Sequence, residues 1–172
     1  LSVNPTPIQV TGSPAARTLN KGPPMNLNRL TERCQQALQE VQSLAVRLGH
    51  PEVDVEHVLS ALVSSEDGLL PRLITKMDLP VDGFRGEVER ALSRRPRVSG
   101  PGMEPGKIYV TRRLNELLVA AEDEAKRLKD EYVSVEHLVL AMIEEADSSD
   151  AGRIFQKSGI TRDRFLAAVA SV

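Results

Sequence analysis

Six residues, Val53-Asp54-Val55-Glu56-His57-Val58, return as Val133-Ser134-Val135-Glu136-His137-Leu138. Each copy brings an imidazole, a carboxylate and a side-chain oxygen close together, a set suited to hydrolysis, to metal ligation or to polar binding. A threonine precedes each copy at a matching distance, Thr31 before the first and Thr111 before the second. Thr31 with Glu56, and Thr111 with Glu136, would each form a small polar pocket if the helix starts that carry them meet. One hydroxyl and one carboxylate can hold a cation or an extended peptide backbone. The same residues also serve as ordinary helix caps, and capping alone accounts for both residue types.

The harder chemistries find little support. Hydrolysis by a nucleophile needs a Ser or Cys with a base and an orienting acid, and the chain has no Gly-x-Ser-x-Gly elbow. A Gly-x-x-x-x-Gly-Lys-Ser/Thr phosphate cradle is also absent, so no nucleotide site of the Walker type is expected. Cys34 is the lone cysteine; it has no thiol or nearby histidine to build a metal site, and it excludes an intrachain disulfide. His57 and His137 then read as partly buried side chains closing the start of a helix, although a hydrolase with an unrecognised site built on them stays open. A net charge of −2 and 3% aromatic residues with no Trp argue against nucleic acid as a partner. Arg94, Arg95 and Arg97 lack the interleaved aromatics of a phosphate-binding patch. No apolar run approaches the roughly 20 residues that span a bilayer, and no signal-peptide core is seen, so no membrane partner is expected.

The positioning elements follow from periodicity. After Thr31, the residues Cys34, Leu38, Val41, Ala45 and Leu48 recur at alternating spacings of four and three, an apolar stripe that Gly49 and Pro51 end. Leu114, Leu118, Ala121, Ala125 and Leu128 repeat it after Thr111. Asp54 and Ser134 are N-caps for second helices reaching about Val63 and Ile143, which places Glu56 and Glu136 in the first turn, where the helix dipole favours them. Third helices are expected over Leu69 to Met77 and Gly152 to Lys157. Fourth helices begin near Asp82 and Asp163, and bury Phe84, Val88 and Leu92 or Phe165, Val169 and Val172.

The chain is therefore an internal duplication: two four-helix repeats related by a pseudo-twofold axis, all-α, with 41% hydrophobic residues to fill a core. The expected divisions are a disordered or appended leader over 1–24, a first repeat over 25–93, a Pro- and Gly-rich linker over 94–109 and a second repeat over 110–172.

The doubled pattern from Thr31 to Leu48 and Val53 to Val58, with its second copy from Thr111 to Ile143, resembles the Clp amino-terminal domain of ATP-driven unfoldases and disaggregases. Met25 to Thr31 and Ala91 to Gly100 look like the ClpB branch of that family. The resemblance implies a non-catalytic module that captures exposed hydrophobic segments of unfolded or aggregated proteins. It also implies a cytoplasmic, homohexameric parent that works with the DnaK system and holds ATP and Mg in separate ATPase modules. The module itself would be monomeric and free of cofactor.

Positions tied to substrate handling in the family fall on Thr31, Asp130 and Glu136, with Glu56 and Thr111 as repeat equivalents. An apolar groove for clients would involve Leu117, Leu118 and Leu138, while Glu124 and Lys126 depart from some relatives and limit its extent. The ClpC branch supplies the alternative: an adaptor-binding domain, or a phosphoarginine receptor using the carboxylates at Glu56 and Glu136. A spacer that only aids ring assembly is a third reading, and it predicts no affinity for unfolded chains.

Overall fold

The computed structural model describes residues 27–98 and 108–172. The leader expected over 1–24 and the linker residues 99–107 lie outside the described residues. Eight α-helices are present among those described: α1 (Glu32–Leu48), α2 (Val55–Ser64), α3 (Leu69–Lys76) and α4 (Val81–Ser93), then α5 (Arg112–Arg127), α6 (Val135–Glu145), α7 (Asp150–Lys157) and α8 (Arg162–Ala170). The fold is all-α, and each repeat contributes four helices.

Capping determines where these helices start. Thr31 accepts from the Cys34 amide and Thr111 from the Leu114 amide, so each hydroxyl satisfies one of the unpaired donors of a first turn. Gly49 closes α1 in the left-handed conformation at φ 70°, which glycine adopts without penalty. In the second repeat Lys129 occupies the corresponding turn at φ 59°. The α7 helix starts at Asp150, two residues before the expected Gly152, because the Ser149 hydroxyl caps it by accepting from the Gly152 amide at 2.9 Å.

The stripe on α1 is buried at Cys34, Leu38, Val41 and Ala45, and its counterpart on α5 at Leu114, Leu118, Ala121 and Ala125. Two expected core residues are corrected: Leu128 and Val172 are exposed. Both sit at a helix end, where periodicity continues on paper after the covering element has stopped.

Two repeats with matching apolar faces share one core. Helices α2, α3 and α4 of the first repeat pack on α6, α7 and α8 of the second, and the Phe84 and Phe155 rings meet across this interface at 5.2 Å between centroids. Polar ties cross it too: Arg164 donates to the Met77 carbonyl and Lys76 to the Ser171 carbonyl, both at 2.6 Å.

The repeats also exchange backbone. Strand β1 (Glu52–Val53) lies parallel to β2 (Tyr109–Val110), so Tyr109, assigned to the linker by sequence, is a strand residue. The Thr111 amide donates to the Val53 carbonyl at 3.0 Å, and the Thr31 amide donates to the Val133 carbonyl at 2.9 Å. Each bond is the pseudo-twofold image of the other.

Candidate functional site

That exchange decides which polar residues meet. The start of α5 is brought to the start of α2, and the start of α1 to the start of α6. Thr111 therefore joins Asp54 and Glu56, and Thr31 joins Ser134 and Glu136. This corrects the pairing of Thr31 with Glu56 and of Thr111 with Glu136 within one repeat. The residue types were those of a polar pocket, but the parallel bridges swap the partners between repeats.

The first junction is filled by ionic contacts. The Thr111 hydroxyl donates to Asp54 Oδ1 at 2.8 Å, and the Val55 amide donates to the same oxygen at 2.8 Å. Arg113, in the first turn of α5, reaches Asp54 Oδ2 at 3.0 Å and both oxygens of Glu56 at 3.3–3.4 Å. Arg95, just beyond α4, places Nη2 2.9 Å from Asp54 Oδ2 and in contact with Glu56 Oε1. Glu56 is 0% exposed and Asp54 4%, and these contacts supply the polar partners that a buried side chain of this kind needs.

Burial would raise the Asp54 carboxyl. The Val55 amide, Thr111 and the two arginines outweigh it and hold the group below its ordinary range. Burial likewise opposes the charge of Arg95 and Arg113, and the Asp54 and Glu56 carboxylates more than restore it. Glu145, at the end of α6, is pushed up by burial, with Ser149 and Arg113 offsetting part of the effect.

Beneath this cluster, two histidines brace the α2 start. The Asp54 amide donates to His57 Nδ1 at 2.9 Å, which leaves the hydrogen on His57 Nε2 to be donated to His50 Nδ1 at 2.8 Å. Both rings are thereby neutral. Burial, then Arg95 and His50, lowers the His57 pKa to about 4. The second repeat copies the arrangement: the Ser134 amide donates to His137 Nδ1 at 2.9 Å, and His137 Nε2 donates to Asp130 Oδ2 at 2.7 Å. Asp130 thus holds the place of His50, and its carboxylate is about half exposed beside the α6 start.

The second junction is open. Thr31, Glu32, Arg33, Leu69, Ser134, Val135 and Glu136 line a cleft of about 340 Å³. A second cleft of about 270 Å³ shares Arg33, Leu69 and Val135 with it and runs on between α1 and the α2–α3 turn, past Ala37, Ala61, Leu62, Glu40 and Asp67. Glu136 forms no ion pair among the described residues, although it occupies the position that Glu56 holds in the first junction. Arg33, the equivalent of Arg113, is exposed. One continuous depression results, with an apolar floor and a charged rim.

Leu117, Leu118 and Leu138 do not line it. They are 1%, 9% and 0% exposed, so they belong to the shared core and offer no accessible groove. Periodicity marks a face that must be covered, and here the protein's own helices cover it. Glu124, expected to limit the groove, is itself 4% exposed. Arg162 of α8 binds it through two nitrogens at 2.8 and 2.9 Å, a bidentate pair tying α5 to α8.

Sequence reasoning treated Asp54 as a cap only and passed over Arg113, Glu145 and Arg162. Arg113 had a signal, since an arginine follows both Thr31 and Thr111 at the same spacing. Among the described residues, no group of His, Cys, Asp and Glu is arranged to hold a metal ion, and no helix is long and apolar enough to cross a membrane.

Comparison with known proteins places this geometry. The model of the Clp repeat (R) N-terminal domain matches residues 29–158. The chaperone protein ClpB of Nitratidesulfovibrio vulgaris is 48% identical over 148 residues, a match covering 86% of this chain and 17% of that protein. This chain therefore corresponds to under a fifth of that relative's length. Among solved structures, the Hsp104 N-terminal domain from Candida albicans superposes with a TM-score of 0.66 at 21% identity, covering 81% of this chain and 87% of that one. A complex of the ClpV N-domain with a VipB peptide superposes with a TM-score of 0.63 at 23% identity, covering 86% of this chain and 95% of that one. At those identities the structural likeness establishes the fold alone, and it agrees with the sequence match. This chain belongs to the Clp repeat N-terminal domain family.

Proposed function

We propose that this chain is the client-binding N-terminal domain of a ClpB-like disaggregase. In this reading it captures exposed apolar segments of unfolded or aggregated proteins and hands them to an ATP-driven ring, and ATP and magnesium act in that ring's ATPase modules. The observation that carries the reading is the open second junction. There the Thr31 hydroxyl, Glu136 carboxylate and exposed Arg33 surround a cleft that continues over Ala37, Leu62, Leu69 and Val135.

An extended segment laid along this depression would place apolar side chains on its floor and offer backbone groups to the rim. The floor residues are already largely covered, so little additional apolar surface can be buried and affinity stays modest. Modest affinity suits a module that must release its client, since each tenfold in affinity is about 1.4 kcal/mol. Adaptor or phosphoarginine binding in the ClpC manner would use the same Glu136. That reading is weaker at Glu56, whose carboxylate already holds Arg95 and Arg113.

A labelled, permanently unfolded polypeptide tests the proposal by fluorescence anisotropy. Saturable binding by the domain, reduced by Glu136→Ala in a variant of unchanged helicity, is the expected result. A complete lack of binding overturns direct capture and leaves adaptor docking or a spacer role in ring assembly.

A further inference from the structure

The two junctions are built from matching positions and yet are unequal. At the second, Glu136 faces an open cleft; at the first, the equivalent Glu56 is sealed, and one of the groups sealing it comes from the segment that follows α4. Arg113 is a resident of that junction, because it stands on α5 and has Arg33 as its counterpart. Arg95 arrives instead from the segment leaving α4.

That segment is held on the α1–α2 turn. The Val98 amide donates to the Gly49 carbonyl at 2.8 Å, and the Arg95 amide to the Leu92 carbonyl at 3.2 Å. A β-carbon on Gly49 would come within 3.4 Å of the Val98 carbonyl oxygen, a measure of how closely the segment lies there. The path delivers the Arg95 guanidinium onto Asp54 and Glu56.

We infer that Arg95 is a built-in occupant of the first junction: the segment after α4 supplies in cis a guanidinium that fills a carboxylate-lined site and shuts it to guanidinium-bearing side chains of other molecules. The contact is autoinhibitory at that junction and leaves the second one open.

The mode of contact makes the occupant displaceable. A guanidinium binds carboxylates most strongly as a fork, with two parallel N–H bonds. Arg95 instead presents Nη2 to both carboxylates, while its Nε is buried without a partner. A ligand able to seat its fork on Glu56 would gain the bond that Arg95 forgoes. The inference stands whether or not clients bind at the second junction, because it concerns only the closure of the first.

The test uses the full 172-residue chain and N-acetyl-arginine methylamide as the probe, followed by amide shifts of residues 54–58 and 111–114. A site occupied in cis about nine-tenths of the time loses about tenfold in apparent affinity. Arg95→Ala is therefore expected to bind the probe at these residues about tenfold more tightly than the parent chain. Arg97→Ala, which removes the same charge from the same segment, is expected to match the parent. Equal affinity in the parent and Arg95→Ala, or no shifts at these residues in folded Arg95→Ala, overturns the inference.

Should Arg95→Ala fail to fold, the Arg95 Nε–H resonance of the parent chain decides. Its movement toward the position of free arginine at high probe supports displacement. A resonance unmoved across the titration overturns it.

Discussion

The Thr111 hydroxyl donates to the Asp54 carboxylate at 2.8 Å across 57 positions of sequence, so the cap of one repeat's first helix also anchors the cap of the other repeat's second helix. Its counterpart Thr31 caps α1, with the Cys34 amide at 3.4 Å from its oxygen, and opens onto a cleft. Thr111→Ala removes a cap and a bond to a buried carboxylate, whereas Thr31→Ala removes a longer cap bond. The expected losses are about 2 kcal/mol for Thr111→Ala and at most about 1 kcal/mol for Thr31→Ala. Urea denaturation of both variants checks the order, and equal losses would show that the first junction contributes no more to stability than the second.

Acid should destabilise the domain through His57. Its folded pKa is about 4 against an ordinary 6.5, so the unfolded chain takes up the proton first. The stabilisation is complete above pH 6.5 and is lost as pH falls toward 4, by about 3 kcal/mol in all. Burial of the ring disfavours its charged form first, and the Arg95 guanidinium and His50 add to the effect. His50, lowered by burial and then by Arg95 and Arg97, adds a loss in the same direction below pH 6.5. Asp54, held below 3.8, adds a loss at still lower pH. His57→Gln should remove most of the slope between pH 6.5 and 4 in urea midpoints, and an unchanged slope would acquit the histidine.

Glu124 and Arg162 offer a double-mutant cycle. Arg162→Leu leaves a buried carboxylate without its bidentate partner and should cost about 3 kcal/mol, while Glu124→Leu combined with Arg162→Leu should cost much less than the sum of the two single losses. Additive losses would mean that the two side chains act independently, contrary to their 2.8 and 2.9 Å contacts.

Gly152 and Gly86 should respond in opposite directions to alanine. A β-carbon on Gly152 would come within 2.2 Å of the Ala146 carbonyl oxygen, and that backbone is already committed to a turn at φ 47°. Gly152→Ala is expected to destabilise by about 2 kcal/mol or more. In α4, a β-carbon on Gly86 would meet only the Arg90 side chain, at 3.7 Å, so Gly86→Ala should stabilise by up to about 1 kcal/mol. Thermal unfolding distinguishes the two signs.

Local features of this chain were legible because local rules produce them. Thr31, Asp54 and Thr111 are caps whose partners lie within three residues, and Cys34 to Ala45 form a stripe that any amphipathic helix must bury. The duplication made the four-helix unit readable twice. What escaped was set by distance along the chain. Nothing near Thr111 announces Asp54, and Arg95 sits in a segment that reads as spacer until the fold lays it over Glu56. Leu117, Leu118 and Leu138 show the complementary limit, because a periodic leucine looks the same whether the protein or a client covers it.

The central claim is that the open second junction receives unfolded chains, and its location is the sharpest test. Amide shifts of the domain should be followed while a permanently unfolded protein is titrated in, with the parent chain and with Glu136→Ala. The account predicts saturable shifts at residues 31–37, 61–69 and 134–136, weakened by the substitution while distant amides keep their positions. Saturable shifts confined to other surfaces, or no shifts at all, would contradict it.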